Sequence, residues 1–254
     1  MYILPWLLCL VAVSTAAPAT FYDDAYDYSD NLLNYYGKVS KKINKLRHTS
    51  SPTKASESCD RSKISLPAYA SSLPSPTGLT ATYVALGRGT QNYTCADSTA
   101  SSTPVAIGAV ANLYNATCLA ANEPDLLADL PTIAYKIALP TNEYATFPPA
   151  NLELMGHHFF YNATTPEFNL DTTKDKQYGI AMTNKEDSIN APSDATKGEY
   201  GAVTWLYLEA VAGTVGDYKA VYRVDTASGN CPTTCKGMPS AFEIQYAAVY
   251  YFYT

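Results

Sequence analysis

Six segments of this chain carry the residue pattern of β-strands, and they limit the fold more than any other feature. Each is rich in β-branched and aromatic residues and is separated from the next by turn residues. They cover 79–86, 103–114, 152–160, 202–210, 218–224 and 242–253. The last one alternates, with Phe242, Ile244, Tyr246 and Ala248 on one face and Glu243, Gln245 and Ala247 on the other. The chain is therefore predicted to be all-β, mainly an antiparallel β-sandwich or distorted barrel with one or two short helices.

Helix signals occupy two short stretches. In 122–131, Asn122 is a candidate N-cap, Pro124 falls in the first turn and Pro131 is the expected end. In 20–58, a pattern that begins after Asp30 places four apolar side chains at helical spacing: Tyr36, Val39, Ile43 and Leu46. The rest of 20–58 is acidic or linker-like. Residues 20–58 as a whole are interpreted as a mobile N-terminal arm, which precedes a single β-rich domain, residues 59–254.

Residues 1–19 have the features of a secretory signal peptide. An apolar run, Ile3–Val13, is followed by small residues that suit cleavage after Ala16 or Ala19. The run is too short to span a bilayer, and no later stretch is long and apolar enough to do so. The formal net charge of -6 argues against a nucleic-acid partner. The sequence therefore predicts a secreted, extracellular protein without a membrane span.

The stretch LGRGTQNYTC, residues 86–95, contains two glycines that could belong to a phosphate loop or to a turn. A dinucleotide site needs a third glycine and a following helix, and neither is present. The stretch is therefore predicted to be a tight hairpin with Gly89 in the left-handed conformation and Arg88 at its tip, so that Leu86 faces Thr90 and Tyr83 pairs with Tyr93. No cofactor is expected.

Three N-glycosylation sequons begin at Asn92, Asn115 and Asn162. In a chain with a signal peptide they predict a glycoprotein with at least one occupied site. Strand alternation points Asn92 outward and Cys95 inward.

Five cysteines lie beyond the signal segment: Cys59, Cys95, Cys118, Cys231 and Cys235. An oxidising compartment favours two disulfides and one remaining thiol. The short spacing of Cys231 and Cys235 could hold a metal, but no second Cys or His pair follows at a useful distance, so no metal is expected. The residues alone leave the connectivity open, and Cys231–Cys235 is one possible small ring.

Several motifs in order resemble one family: GRGTQNYTCAD, GAVANLYNATCLA, GHHFF, WLYLEA, VYRVDTASG and IQYAAVYYFY. The chain from about Cys59 to Thr254 is similar to a domain of unknown function found in secreted proteins of filamentous fungi and bacterial relatives. Many of those proteins carry the automatic name malate dehydrogenase, which the absent dinucleotide fingerprint does not support. The cysteines retained in the bacterial relatives imply a Cys95–Cys235 disulfide. Cys59–Cys118 is then expected as the second pair, which leaves Cys231 free.

Candidate catalytic residues are few. His157 and His158 are the two histidines of the domain, and they point to opposite faces of a strand. Arg88 is the next candidate, because binding residues are often displayed on loops. Four carboxylates lie in or beside strands and are interpreted as rim charges: Glu153, Glu209, Asp225 and Glu243. Arg223 and Asp225, two apart, are predicted to form a local ion pair.

Three classes of function remain open. A binding module would present an aromatic patch of Tyr, Trp205 and Phe side chains, with carbohydrate or a cell-wall surface as the partner. A hydrolase would use His157 or His158 beside an acid in a concave pocket. A wall-associated structural protein would need no pocket. The scarcity of catalytic motifs favours a binding or structural role over an enzyme.

Overall fold

The computed structural model describes residues 34–41, 59–140, 146–171 and 176–254. Eight antiparallel strands form a closed barrel in which each strand pairs with its neighbour in sequence and β1 pairs with β8. The strands are β1 (Ala81–Thr94), β2 (Val105–Asn115), β3 (Leu154–Asn162), β4 (Thr165–Asn169), β5 (Ile180–Ile189), β6 (Trp205–Ala210), β7 (Ala220–Ser228) and β8 (Ala241–Tyr253). The all-β prediction is confirmed, and the barrel is the form adopted. The predicted signal segment and most of the predicted arm lie outside the described residues.

Alternation along β8 divides the buried residues into an inner and an outer core. Tyr246, Ala248, Tyr250 and Phe252 belong to the inner cluster. Their neighbours Ala247, Val249, Tyr251 and Tyr253 belong to the outer cluster, where the helices pack on the barrel wall. Successive strand residues face opposite sides of a sheet, and here both sides are buried. The alternation read from the sequence of this strand is therefore confirmed.

Three helices are described: α1 (34–41), α2 (Thr117–Asn122) and α3 (Pro124–Lys136). The prediction that Pro131 ends its helix is wrong, because α3 continues to Lys136 through it. Proline removes one backbone hydrogen bond and strains the preceding turn. The buried residues of α3 offset this cost by packing against the barrel wall: Leu126, Leu127, Leu130, Ile133 and Ala134.

The part of the chain before β1 also packs on the outer core. Ile64, Ala70 and Leu73 are buried there, beside two short 3-10 helices. In α1 the prediction that Tyr36 belongs to the apolar face is wrong, because Tyr36 is exposed and Tyr35 is buried instead. Val39 of the predicted face packs against the outer core, and Ile43 and Leu46 lie outside the described residues.

The predicted hairpin at residues 86–95 is also wrong. β1 runs straight through Gly87, Arg88 and Gly89, and Leu86 pairs with Tyr114 and Val249 instead of facing Thr90. The glycines serve close packing. A Cβ on Gly87 would lie 2.5 Å from the Tyr250 ring, and one on Gly89 would overlap the backbone of β2. Small size, and not a turn conformation, is what this strand requires at both positions.

Candidate functional site

Arg88 is a buried structural residue. Its side chain is 1% exposed and lies on the outer face of β1, beneath the end of α3. The guanidinium donates to the carbonyls of Tyr135 (3.3 Å) and Ile137 (2.9 Å) and to Oε1 of Gln245 (2.6 Å). Burial lowers the pKa of Arg88 to about 10. A cation at the C-terminal end of a helix is favourably placed, so this residue anchors α3 to the barrel and is not displayed to a ligand.

His158 lies inside the barrel. Its ring stacks on Phe168 with centroids 4.2 Å apart, and its Nδ1–H donates to the Glu167 carbonyl at 2.9 Å. Because a carbonyl can only accept, this bond fixes the Nδ1–H tautomer. Burial lowers the pKa of His158 to about 4, so the ring is neutral near pH 7. His158 is 3% exposed and sits in the inner core, not in an open cleft.

His157 points the other way, toward Asn112, whose Oδ1 is 3.1 Å from its Nδ1. The two adjacent histidines therefore do not meet. Within the described ranges, no group of three His, Cys, Asp or Glu side chains could hold a metal ion. The structure does not bring His157, His158 and Arg88 together.

A cleft on the outer barrel wall collects different residues. It has a volume of about 410 Å³ and lies where α3, the bulged middle of β7, the start of β6 and the chain before β1 meet. Its polar and aromatic lining residues are Tyr69, Thr132, Asp194, Thr196, Trp205, Asp225 and Thr226. Concave sites with a few convergent polar groups are where small ligands bind.

Asp225 is the most unusual residue of this cleft. The register of β7 and β8 shifts between Val224 and Ala227, so that an extra residue is accommodated there. Asp225 adopts φ 48°, in the left-handed region that non-glycine residues rarely occupy. Burial raises the pKa of its carboxyl to about 7. Strained backbone and a perturbed acid in a cleft are typical of functional positions.

The bulge also separates Asp225 from Arg223. Arg223 donates to the Thr204 carbonyl at 2.9 Å and its charge acts on Tyr250 inside the barrel. Asp225 instead acts on Tyr251 of the outer core. The predicted ion pair between Arg223 and Asp225 is therefore wrong. Among the described residues, the Asp225 carboxyl has no hydrogen-bond or ion-pair partner.

Trp205 forms the aromatic part of the cleft together with Tyr69. The indole is 2% exposed, and its Nε1–H has no hydrogen-bond partner in the described part of the chain. Tyr69 packs edge-on against it with ring centroids 5.2 Å apart and is itself 50% exposed. The cleft thus combines an unpartnered donor, an unpartnered acid and an accessible aromatic ring.

Sequence reasoning did not single out this site. Tyr69 precedes every predicted strand, and only folding brings it to Trp205. The available signal was Asp225 itself, a charged residue that interrupts the apolar run of β7 and so marks a bulge. Of the other strand carboxylates, Glu153 pairs with Lys176, and Glu209 and Glu243 are exposed.

The structure contains the disulfide Cys95–Cys235 that the family resemblance implied. Cys59, Cys118 and Cys231 are thiols. The thiol of Cys118 lies close enough to Cys59 to raise its pKa.

Comparison with known proteins identifies the family of this chain. No curated protein and no solved structure matches the chain. Across the described ranges, no helix has the length and apolar character that a membrane crossing requires. Residues 8–74 match a family described as a protein of unknown function (DUF2990), and residues 74–254 match another with the same description (DUF3455). Because the second match covers more than half of the sequence, the chain belongs to the DUF3455 family of proteins of unknown function.

Proposed function

We propose that this protein is a secreted, disulfide-bonded binding module that holds a hydroxyl-bearing ligand, of the saccharide class, in the cleft around Asp225. The apolar run Ile3–Val13 with its small-residue cleavage region supports secretion. The Cys95–Cys235 disulfide is compatible with an oxidising compartment.

The observation that carries the proposal is the pair of unpartnered groups in one cleft. The Trp205 Nε1–H can only donate a hydrogen bond, and the ionised Asp225 carboxylate can only accept one. A hydroxyl group does both, so a ligand rich in hydroxyls that enters far enough to reach the buried indole N–H satisfies the two together. An ammonium group would satisfy Asp225 alone and leave the indole without a partner. A buried polar group without a partner costs about 1–3 kcal/mol, so supplying an acceptor to the indole N–H favours binding.

The aromatic ring of Tyr69 adds an apolar surface beside these polar groups. Half of the residue is exposed, and its ring is held at a fixed angle by Trp205. Sugar rings present apolar C–H faces as well as hydroxyls, so they fit a site with both kinds of surface. The hydrolase alternative has less support, because His158 is sequestered in the inner core.

Binding of soluble gluco-, manno- and N-acetylglucosamine oligosaccharides, measured by titration calorimetry at pH 8, tests the proposal. Asp225→Asn should weaken binding about tenfold, since it replaces a charge-assisted hydrogen bond by a neutral one. Tyr69→Ala should weaken it similarly. Asp217→Asn is the matched control, because Asp217 is exposed and lies before β7, outside the cleft.

Two outcomes contradict the proposal. One is equal affinity of the wild type and Asp225→Asn for every saccharide that binds. The other is the absence of saccharide binding together with saturable binding of a polyamine, which would assign the cleft to cations.

A further inference from the structure

Two cysteine thiols meet at the junction between the N-terminal segment and the barrel. Cys59 is the first residue of the segment 59–80, which precedes β1, and it packs against the outer core. Cys118 is exposed on α2, and the 3-10 helix Arg61–Lys63 that follows Cys59 lies against α2. The side chains are 59 positions apart in sequence, and the fold brings them close enough for the Cys118 thiol to raise the pKa of Cys59. Two neighbouring thiols on elements that pack together are the arrangement from which a disulfide can form.

We infer that Cys59 and Cys118 form a second disulfide, which ties the segment 59–80 to the barrel. The thiolate of Cys118, the exposed partner, attacks a disulfide donor of an oxidising compartment and displaces one of its sulfurs as a thiol. Cys59 then attacks the mixed disulfide, and the donor leaves with its second sulfur reduced. Two protons and two electrons pass from the protein to the donor, and one S–S bond forms in the protein.

Other uses of the pair fit the structure less well. Burial and the neighbouring Cys118 raise the pKa of Cys59 to about 12, which disfavours the thiolate that a metal ligand would need. In the mixed disulfide Cys118 no longer carries a thiol, so its part of this effect on the Cys59 pKa is removed and Cys59 can complete the exchange. No third ligand completes a metal site within the described residues. Cys231 lies elsewhere, near Tyr93 of β1. Bond formation is the chemistry that remains.

The proposed bond would add a covalent link to a segment that packs on the outer core through Ile64, Ala70 and Leu73. Arg61 donates to the Thr82 carbonyl at 3.3 Å, and the Pro74 carbonyl accepts from the Tyr222 hydroxyl at 2.7 Å. The segment then continues into β1. It also bridges the two family matches, because Cys59 lies in residues 8–74 and Cys118 in residues 74–254. Tyr69 stands in the middle of this segment, so, given the proposed function, the bond also positions one wall of the cleft.

Non-reducing peptide mapping of protein secreted from a eukaryotic host tests the inference. Free thiols are first blocked with iodoacetamide in denaturant, without reduction. The expected result is a linked Cys59–Cys118 peptide and a single alkylated cysteine, Cys231. Alkylated Cys59 and Cys118, or a linkage of either to Cys231, would overturn the inference. This readout requires no ligand, so it is independent of whether saccharide binding is observed.

Hydrogen exchange measures how strongly the proposed disulfide restrains the opening of the segment 59–80. The backbone amides of Ile64 and Leu73 are hydrogen-bonded within the segment, to the carbonyls of Arg61 and Ala70. Cys118→Ser should accelerate their exchange at least tenfold, because the segment then opens without the restraint of the bond. Cys231→Ser removes the third thiol and should leave both rates unchanged. Equal rates in the two variants would show that the segment is not held by a bond to Cys118.

Discussion

Two titratable residues, the half-buried Asp225 and the buried His158, give this protein opposite responses to pH. The pKa of Asp225 is raised from 3.8 to about 7, so the folded chain retains a proton that the unfolded chain releases. That contribution to stability is lost as the pH rises from about 4 to 7. The pKa of His158 is lowered from 6.5 to about 4, so the unfolded chain binds the extra proton. Its contribution is present above pH 6.5 and is lost as the pH falls toward 4.

Because the two windows overlap, the effects largely cancel in the wild type and single substitutions should separate them. Asp225→Asn should raise the free energy of unfolding at pH 8 by on the order of 2 kcal/mol and leave a stability that falls as the pH drops below 6.5. His158→Phe should instead leave a stability that falls as the pH rises from 4 to 7. Urea unfolding at half-unit pH steps gives both slopes, and parallel curves for the two variants would contradict the assignment.

At the scale of elements, Arg88 connects β1 to α3. It binds the Tyr135 and Ile137 carbonyls, which belong to the last turn of the helix and the residue after it. Arg88→Met should lower the free energy of unfolding by about 3 kcal/mol, because these carbonyls then lie buried without a donor. Arg88→Lys should have a free energy of unfolding between those of the wild type and Arg88→Met. A single ammonium group cannot reproduce the hydrogen bonds that the guanidinium makes to both the barrel strands and the end of α3. Thermal unfolding of the three proteins checks the order, and a loss below about 0.5 kcal/mol in Arg88→Met would show that the anchor is unimportant.

The sequons differ in their structural setting, so we expect them to differ in occupancy. Asn162 is exposed in the turn between β3 and β4, and its Oδ1 accepts from the backbone amides of Thr164 and Thr165. Its Nδ2 is left to carry a glycan. In the Asn115 sequon, Thr117 is 5% exposed and its hydroxyl bonds the backbone of Val84. A glycan on Asn115 would compete with the burial of Thr117.

Mass spectrometry of protein produced through the secretory pathway of a eukaryotic host should therefore find a glycan at Asn162 and none at Asn115. Asn162→Gln should lower the molecular mass by one glycan, while Asn115→Gln should shift it only by the side-chain change. The reverse pattern would contradict the assignment.

The elements that could be predicted from the sequence were those whose residue pattern depends only on neighbouring positions in the chain. The alternation of β8 required no knowledge of neighbours, and it predicted both faces correctly. β5 was missed because half of it, from Asn184 to Ser188, is exposed and polar, so it lacks the apolar alternation of a half-buried strand. The glycines of β1 were misread because their cause is the Tyr250 ring on β8 and the backbone of β2, which sequence spacing does not reveal.

At the scale of the molecule, the N-terminal segment and the barrel form one packed structure. Ile64, Ala70 and Leu73 share the outer core with residues of α3 and β8. The cleft exists only where these parts meet, because Tyr69 comes from the first and Trp205 and Asp225 from the second. A long-range juxtaposition of this kind cannot be read from strand and turn signals, which explains why the site was not predicted although Trp205 lay in a predicted strand and Asp225 beside one.

The central claim, that this cleft binds a saccharide, can be tested at one atom. The sequence has two tryptophans, Trp6 in the predicted signal segment and Trp205 in the cleft, so protein produced without residues 1–19 should give a single indole N–H resonance. We predict that titration with a binding oligosaccharide moves this resonance saturably. The midpoint should lie about tenfold higher in Asp225→Asn and be unchanged in Asp217→Asn. An indole resonance that stays in place while the oligosaccharide saturates the protein would contradict the account.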